Sequence, residues 1–181
     1  MILGLVGRRR VGKDTCAEYF ISRGFVRVAL ADAPKLQVSR ACGLPESLTW
    51  WEKHKDEPYE ADPSRTHRDL VIQYANKARE RDPDVWVSLA LEECLRHEAE
   101  GRSVVVTDIR FPNEASAFYG ANAVLLKIVR SGIDTFDDPA DSGTDAIPDW
   151  MFDGIIDNNG PIEALWAEAR DAARALPKDV L

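Results

Sequence analysis

Nine residues near the amino end, Gly7-Arg8-Arg9-Arg10-Val11-Gly12-Lys13-Asp14-Thr15, have the composition of a loop that holds phosphate groups. Its glycines let the backbone turn tightly and approach an anion closely. The loop N–H groups then point at phosphate oxygens, and a helix starting after Gly12 adds the partial positive charge of its N-terminus. Lys13 is placed to reach the β- and γ-phosphates of a nucleotide. An ordinary strand-to-helix turn would not account for a lysine directly after Gly12.

The usual hydroxyl after Gly-Lys is replaced by Asp14, and the hydroxyl follows one position later at Thr15. A carboxylate at Asp14 can hold a Mg²⁺-bound water or orient an acceptor. It can equally be a first-turn acid favoured by the helix dipole. Arg8, Arg9 and Arg10 supply a local basic cluster in a chain whose formal charge is −8. That acidity argues against wrapping a nucleic-acid backbone and favours a small anionic ligand.

The elements that would position this loop follow from patterning. Ile2–Val6 reads as a buried strand and Asp14 to Arg23 as the helix after it. Further strands are expected at Phe25–Leu30, Ser103–Thr107, Val124–Val129 and Gly154–Ile156. Helices are expected from Pro34 to Ala41, from Thr66 to Arg79, from Asp84 to Glu98 and after Asn159-Gly160-Pro161. The alternation predicts an α/β fold with a mainly parallel sheet of five strands and helices on both faces. The apolar face of the helix near 84–98 is expected to carry Val85, Trp86, Leu89, Leu91, Cys94 and Leu95. In the last helix, Ile162, Leu165, Trp166, Ala169, Ala173 and Leu176 are expected to dock on the sheet.

At 181 residues, with 45% hydrophobic and 30% charged residues, the chain is expected to be a single soluble domain, 1–181. Segments near 43–65 and 131–149 look irregular and mobile, as lids, binding loops or insertions do. Cys16, Cys42 and Cys94 form no disulfide or zinc pattern, and His54, His67 and His97 lack metal-ligand spacing. No membrane span or signal segment is expected, so the location is cytoplasmic.

Ligands of open parallel sheets bind beyond the carboxyl ends of the strands. Asp108, Arg110 and Glu114 follow one such end. Asp108 can position a Mg²⁺ water or a substrate hydroxyl, and Arg110 can neutralise a transferring phosphoryl group. A structural ion pair pinning the helix start at Pro112 is the alternative, and Glu114 fits either role. Lys35 follows another strand end, in the first turn of a helix, where the dipole disfavours a cation unless an anion is near. Arg68 opens the next helix.

With these residues in place, the chain resembles the bacteriophage deoxynucleoside monophosphate kinases, a branch of the P-loop nucleotide kinases. The likeness rests on Gly7–Thr15, Ala31-Asp32-Ala33-Pro34-Lys35, Thr66-His67-Arg68 leading into Gln73, Val85-Trp86-Val87, Asp108-Ile109-Arg110 with Asn113-Glu114, Val129-Arg130 and Asp157-Asn158-Asn159-Gly160. It implies a three-layer P-loop kinase sandwich and transfer of phosphate from ATP, with Mg²⁺, to deoxynucleoside monophosphates. The loop glycines Gly7 and Gly12, with Arg9, Arg10, Lys13, Asp14 and Thr15, would hold ATP, and Asp14 and Asp108 the metal. Lys35, Arg68, Trp86, Asp108, Arg110 and Glu114 would line the deoxynucleotide site, Arg68 and Arg110 on its phosphate and Trp86 near the base. Such kinases commonly form homodimers. Three departures stand out: Ser142-Gly143-Thr144-Asp145 replaces a His-x-Ser/Thr-Glu segment, His67 a proline, and Asn76 a glycine. The competing readings are a P-loop kinase of a modified DNA base or another small phosphorylated metabolite, and a nucleotide-binding module without transfer.

Overall fold

The computed structural model describes residues 1–133 and 139–175. They pack as two compact units, one of residues 1–29 with those from 91 onward, the other of residues 30–90.

The first unit is built on five parallel strands: β1 (Ile2–Val6), β2 (Val26–Val28), then β5 (Val104–Ile109), β6 (Val124–Val129) and β7 (Gly154–Asp157). Their order is β2-β5-β1-β6-β7, so β1 is central. Leu3 lies opposite Val105 on one side and Val124 on the other. All five β1 residues are buried, which is why this run is apolar without alternation. Every strand forms where the sequence predicts it. The β5 strand extends two residues further, to Ile109, so Asp108 sits within the strand rather than after it.

The unit's helices are α1 (Lys13–Ile21), α6 (Pro112–Gly120), α7 (Pro139–Asp145) and α8 (Ile162–Ala175), with part of α5 (Val85–Ala99). One core cluster joins Leu3, Leu5 and Val105 of the strands to Cys16 and Phe20 of α1 and to Leu165 and Ala169 of α8. Burial pushes the Cys16 and Cys94 thiols up to about 12, leaving both as small apolar side chains at neutral pH.

The second unit holds α2 (Asp32–Cys42), α3 (Leu48–His54), an antiparallel pair β3 (Pro58–Tyr59) and β4 (Asp62–Thr66), α4 (His67–Arg79), and α5 as far as Ala90. Its small core gathers Val38, Trp51 and Val71. The Trp51 indole donates to Ser39 Oγ at 2.9 Å, and Ser39 donates to the Pro45 carbonyl at 2.9 Å. A buried tryptophan N–H thus has its partner. Thr66 and Asp69 form a reciprocal capping box that starts α4.

Three expectations need correction. The segment 43–65 is not irregular: Ser47 caps α3 by accepting from the Trp50 N–H, and a short strand pair follows. Charge and proline content masked these elements because both are too short to show a period. The segment 131–149 contains α7 and leads into a 3₁₀ turn at Asp149–Met151; residues 134–138 lie outside the described residues. The apolar stripes are also narrower than expected. On α5, Trp86, Val87, Ala90, Cys94 and His97 are buried, whereas Leu89 and Leu95 are exposed. On α8, Leu165 and Ala169 dock while Ile162 and Trp166 stand largely in solvent; Leu176 lies outside the described residues. Among the described residues no helix is long and apolar enough to cross a membrane.

The α8 contrast is testable by urea unfolding. Leu165→Ala should cost about 2–5 kcal/mol through the cavity it leaves. Trp166→Ala should cost less than about 1.5 kcal/mol, since its ring is partly exposed and its indole donates to the Thr15 carbonyl at a long 3.4 Å. Equal losses would show that α8 docks through the broader face expected from sequence.

Candidate phosphate-binding site

The loop between β1 and α1 folds back on its own lysine. Lys13 Nζ donates to the carbonyls of Gly7 at 2.6 Å and Arg8 at 2.7 Å, and the side chain is buried. Arg10 and Gly12 both have left-handed backbone, with φ of +65° and +99°. Such turns gather successive N–H groups into a concave, anion-binding surface. Holding an arginine at positive φ costs on the order of 1–3 kcal/mol, which fits strain kept for a purpose. Gly7 is required by contact with backbone, and Gly12 by its left-handed φ. A Cβ on Gly7 would lie 2.8 Å from the Ile128 carbonyl oxygen, and one on Gly12 would lie 2.3 Å from Asn158 Nδ2.

Burial pushes the Lys13 pKa down to about 8, and the nearby Arg110 guanidinium adds to this; Asp14, Asp108 and Asp141 partly offset it. Lys13, Asp14, Asp108 and Arg110 therefore lie within electrostatic range of one another around Lys13. Asp14 and Arg10 are exposed, and Arg9, Thr15, Asp108 and Arg110 are half-buried. Glu114 is buried, its Oε2 accepting from the N–H groups of Arg110 at 2.8 Å and Phe111 at 3.1 Å. These bonds fix the backbone that carries Arg110 and start α6.

Sequence reading missed three side chains that hold the loop. Asn158 Nδ2 donates to the Val11 carbonyl at 2.7 Å. Asp141 Oδ1 accepts from the Arg9 N–H at 2.9 Å, and Asp145 takes the Arg8 guanidinium through both oxygens, at 2.8 and 2.5 Å. Asp157-Asn158-Asn159-Gly160 belonged to the family resemblance, but nothing in the sequence joined it to the loop. Asp145 was noticed only as part of a departure.

In the second unit, Arg68 forms a two-pronged bond to Asp56 at 2.8 and 3.2 Å. Lys35 donates to Glu52 at 3.0 Å and lies 3.6 Å from Asp32, which gives this first-turn cation its local anions. Burial pushes the Glu52 carboxyl up, but hydrogen bonds from Lys55 and Lys35 outweigh it and hold it at about 2. Trp86 is corrected from a base-facing ring: it is 1% exposed, and its indole donates to the Ala75 carbonyl at 3.1 Å. Its face is occupied by packing.

Among the described residues no three His, Cys, Asp or Glu side chains gather into a metal cage. Mg²⁺ is commonly held by one or two carboxylates together with substrate phosphates, and the carboxylates nearest the loop lysine include Asp14 and Asp108.

No protein-family model matches the chain. A "Putative deoxynucleotide monophosphate kinase" of Acanthamoeba polyphaga mimivirus is 27% identical over 182 residues, spanning 93% of each chain. "Uncharacterized protein ORF77" of Ictalurid herpesvirus 1 (strain Auburn) is 28% identical over 133 residues, 72% of this chain and 51% of that protein. Among solved structures, dephospho-CoA kinase from Campylobacter jejuni matches with a TM-score of 0.59 at 15% identity, over 99% of this chain and 98% of its own. TT1252 from Thermus thermophilus matches with a TM-score of 0.53 at 16% identity, over 98% of each chain. A sugar kinase from Janibacter sp. HTCC2649 matches with a TM-score of 0.52 at 16% identity, over 97% and 95%. The fold is thus the mainly parallel, five-stranded α/β sandwich of P-loop kinases.

The lowered Lys13 pKa gives a signed pH dependence. In the unliganded chain the folded pKa lies below the unfolded one, so this group's contribution to stability rises as pH climbs from about 8 to the ordinary lysine value. A bound polyphosphate favours the ammonium and reverses the shift. Nucleotide binding near about pH 9 should therefore take up a proton. Calorimetry in two buffers of different ionisation enthalpy should show that uptake, together with affinity falling above pH 8. Both effects should vanish in Lys13→Met; heats that do not depend on the buffer would contradict this assignment.

Proposed function

We propose that the chain is an ATP- and Mg²⁺-dependent kinase that transfers the γ-phosphoryl group to deoxynucleoside monophosphates, giving dNDPs. The observation that carries this reading is the glycine-bounded cradle closed on a buried Lys13, with Asp14, Asp108 and Arg110 in electrostatic range. The acceptor class draws support from the name of the mimivirus relative and from the motif resemblance. Bacteriophage kinship and a homodimer rest on the motif resemblance alone, and a cytoplasmic location on the sequence expectation of no membrane span or signal segment.

Phosphoryl transfer asks a protein for positioning and charge neutralisation more than for a covalent nucleophile. In this reading the loop N–H groups from Gly7 to Thr15 and the Lys13 ammonium hold the β- and γ-phosphates. With three donors, the ammonium can keep the carbonyls of Gly7 and Arg8 and give its third N–H to phosphate oxygen. Arg9 and Arg10 add positive charge at the loop surface, and Arg110 neutralises the transferring group. Asp14 and Asp108 would hold Mg²⁺, which when bound neutralises phosphate charge. Lys35 and Arg68 receive the acceptor's phosphate, each exchanging a carboxylate partner for it. Glu114 keeps Arg110 in place through its backbone. Trp86 is left to packing.

Incubation with labelled ATP and each of the four dNMPs should transfer label to at least one of them. Dephospho-CoA and duplex DNA with ordinary and hypermodified bases serve as competing acceptors. Label found only on the polymer or only on another metabolite would remove the dNMP assignment. No label on any acceptor, with ATP still bound, would favour a binding module. Lys13→Met should reduce transfer to background while the melting temperature stays near that of the wild type. Arg68→Ala should weaken dNMP binding by about 1.5–3 kcal/mol, the value of a charge-assisted contact, and leave ATP affinity unchanged.

A further inference from the structure

The first half of the phosphate loop is held by a side chain from far along the chain. Asp141 on α7 is 4% exposed, and its Oδ1 accepts from the Arg9 N–H at 2.9 Å. Its other oxygen, Oδ2, is buried with no hydrogen-bond partner among the described residues. A buried carboxylate is costly unless something requires it.

The requirement lies one peptide away. The Arg9 N–H and the Arg8 carbonyl belong to the same peptide unit, and in a trans peptide they point in opposite directions. The Arg8 carbonyl accepts from Lys13 Nζ at 2.7 Å. Asp141, the Arg8–Arg9 peptide and the Lys13 ammonium thus form one chain: carboxylate to N–H on one side, carbonyl to ammonium on the other. Bonds in such a chain polarise one another. If this peptide turned over, its N–H would face a buried cation and its carbonyl a buried carboxylate, and both contacts would repel. The carboxylate also acts on Lys13 directly through its charge. Asp145 on the same helix secures Arg8, and Thr144 Oγ1 donates to the Arg110 carbonyl at 3.4 Å, so α7 is tied to both phosphate-facing segments.

We infer that Asp141 is a positioning residue for nucleotide binding, which acts on Lys13 by fixing the orientation of the Arg8–Arg9 peptide. This rests on the reading of the loop as the nucleotide-phosphate site and adds to it a residue from outside the loop.

A double-mutant cycle on ATP affinity, measured by calorimetry, separates the two. Asp141→Ala should weaken ATP binding at least about tenfold in the wild-type background and less than about twofold in Lys13→Met, because the effect runs through Lys13. Asp141→Asn can present its amide oxygen to the Arg9 N–H and should stay within about threefold of wild type. Equal losses from Asp141→Ala in both backgrounds, or an Asn variant as weak as the Ala variant, would overturn the inference. If Lys13→Met itself leaves ATP affinity unchanged, the phosphate-loop reading falls first. If Asp141→Ala does not fold, the Arg9 amide proton decides. It should resonate at low field in the wild type and move upfield in Asp141→Asn, and an ordinary position unaffected by that change would refute the assignment.

Discussion

A lysine ammonium buried under the six-residue loop between β1 and α1 sets the terms for the rest of the first unit. Taking such a charge out of water is expensive, and the cost here is met by the carbonyls of Gly7 and Arg8. To supply both, the backbone must curl around Nζ, which demands left-handed geometry at Arg10 and Gly12. The same curl gathers N–H groups into a surface for anions. Burial and Arg110 still leave the Lys13 pKa at about 8, with Asp14, Asp108 and Asp141 offsetting part of the shift.

The loop cannot keep this shape alone. Ile128 of β6 closes on Gly7, Asn158 at the end of β7 grips Val11 and crowds Gly12, and Asp141 of α7 holds Arg9. Glu114 of α6 does similar work for the backbone of Arg110. Each of these neighbours is supplied by the central sheet or a helix beside it. The parallel order β5-β1-β6 brings segments from residues near 7, 108 and 128 to one region. Function residues on short connections gain their precision from that rigid frame.

In a chain of formal charge −8, the cations assigned to phosphates do not stand bare. Arg8 is held by Asp145, Arg68 by Asp56, and Lys35 by Glu52 and Asp32. The two arginine pairs are half-exposed, so each is worth little to stability, whereas Lys35 and Asp32 are mostly buried.

The sequence by itself determined the strands, because five apolar runs leave little choice for a buried parallel sheet, and it determined the loop, because glycine spacing and Lys13 are local properties. It also brought Asp108 and Arg110 near the carboxyl end of β5, although the strand runs on to Ile109 and takes in Asp108. Tertiary structure decided what needed a partner. The base-facing role expected for Trp86 gave way because Ala75 and its neighbours enclose the ring, which no local pattern reveals. The faces of α5 and α8 were narrowed by what they pack against rather than by hydrophobicity, leaving Leu89 and Trp166 outside. Asp141 and Asn158 lie 132 and 147 residues from the loop atoms they bind, and short polar side chains in turns carry no signal of such reach. Their roles depend on which strand ends the sheet places side by side, and strand order is set by packing across the whole domain.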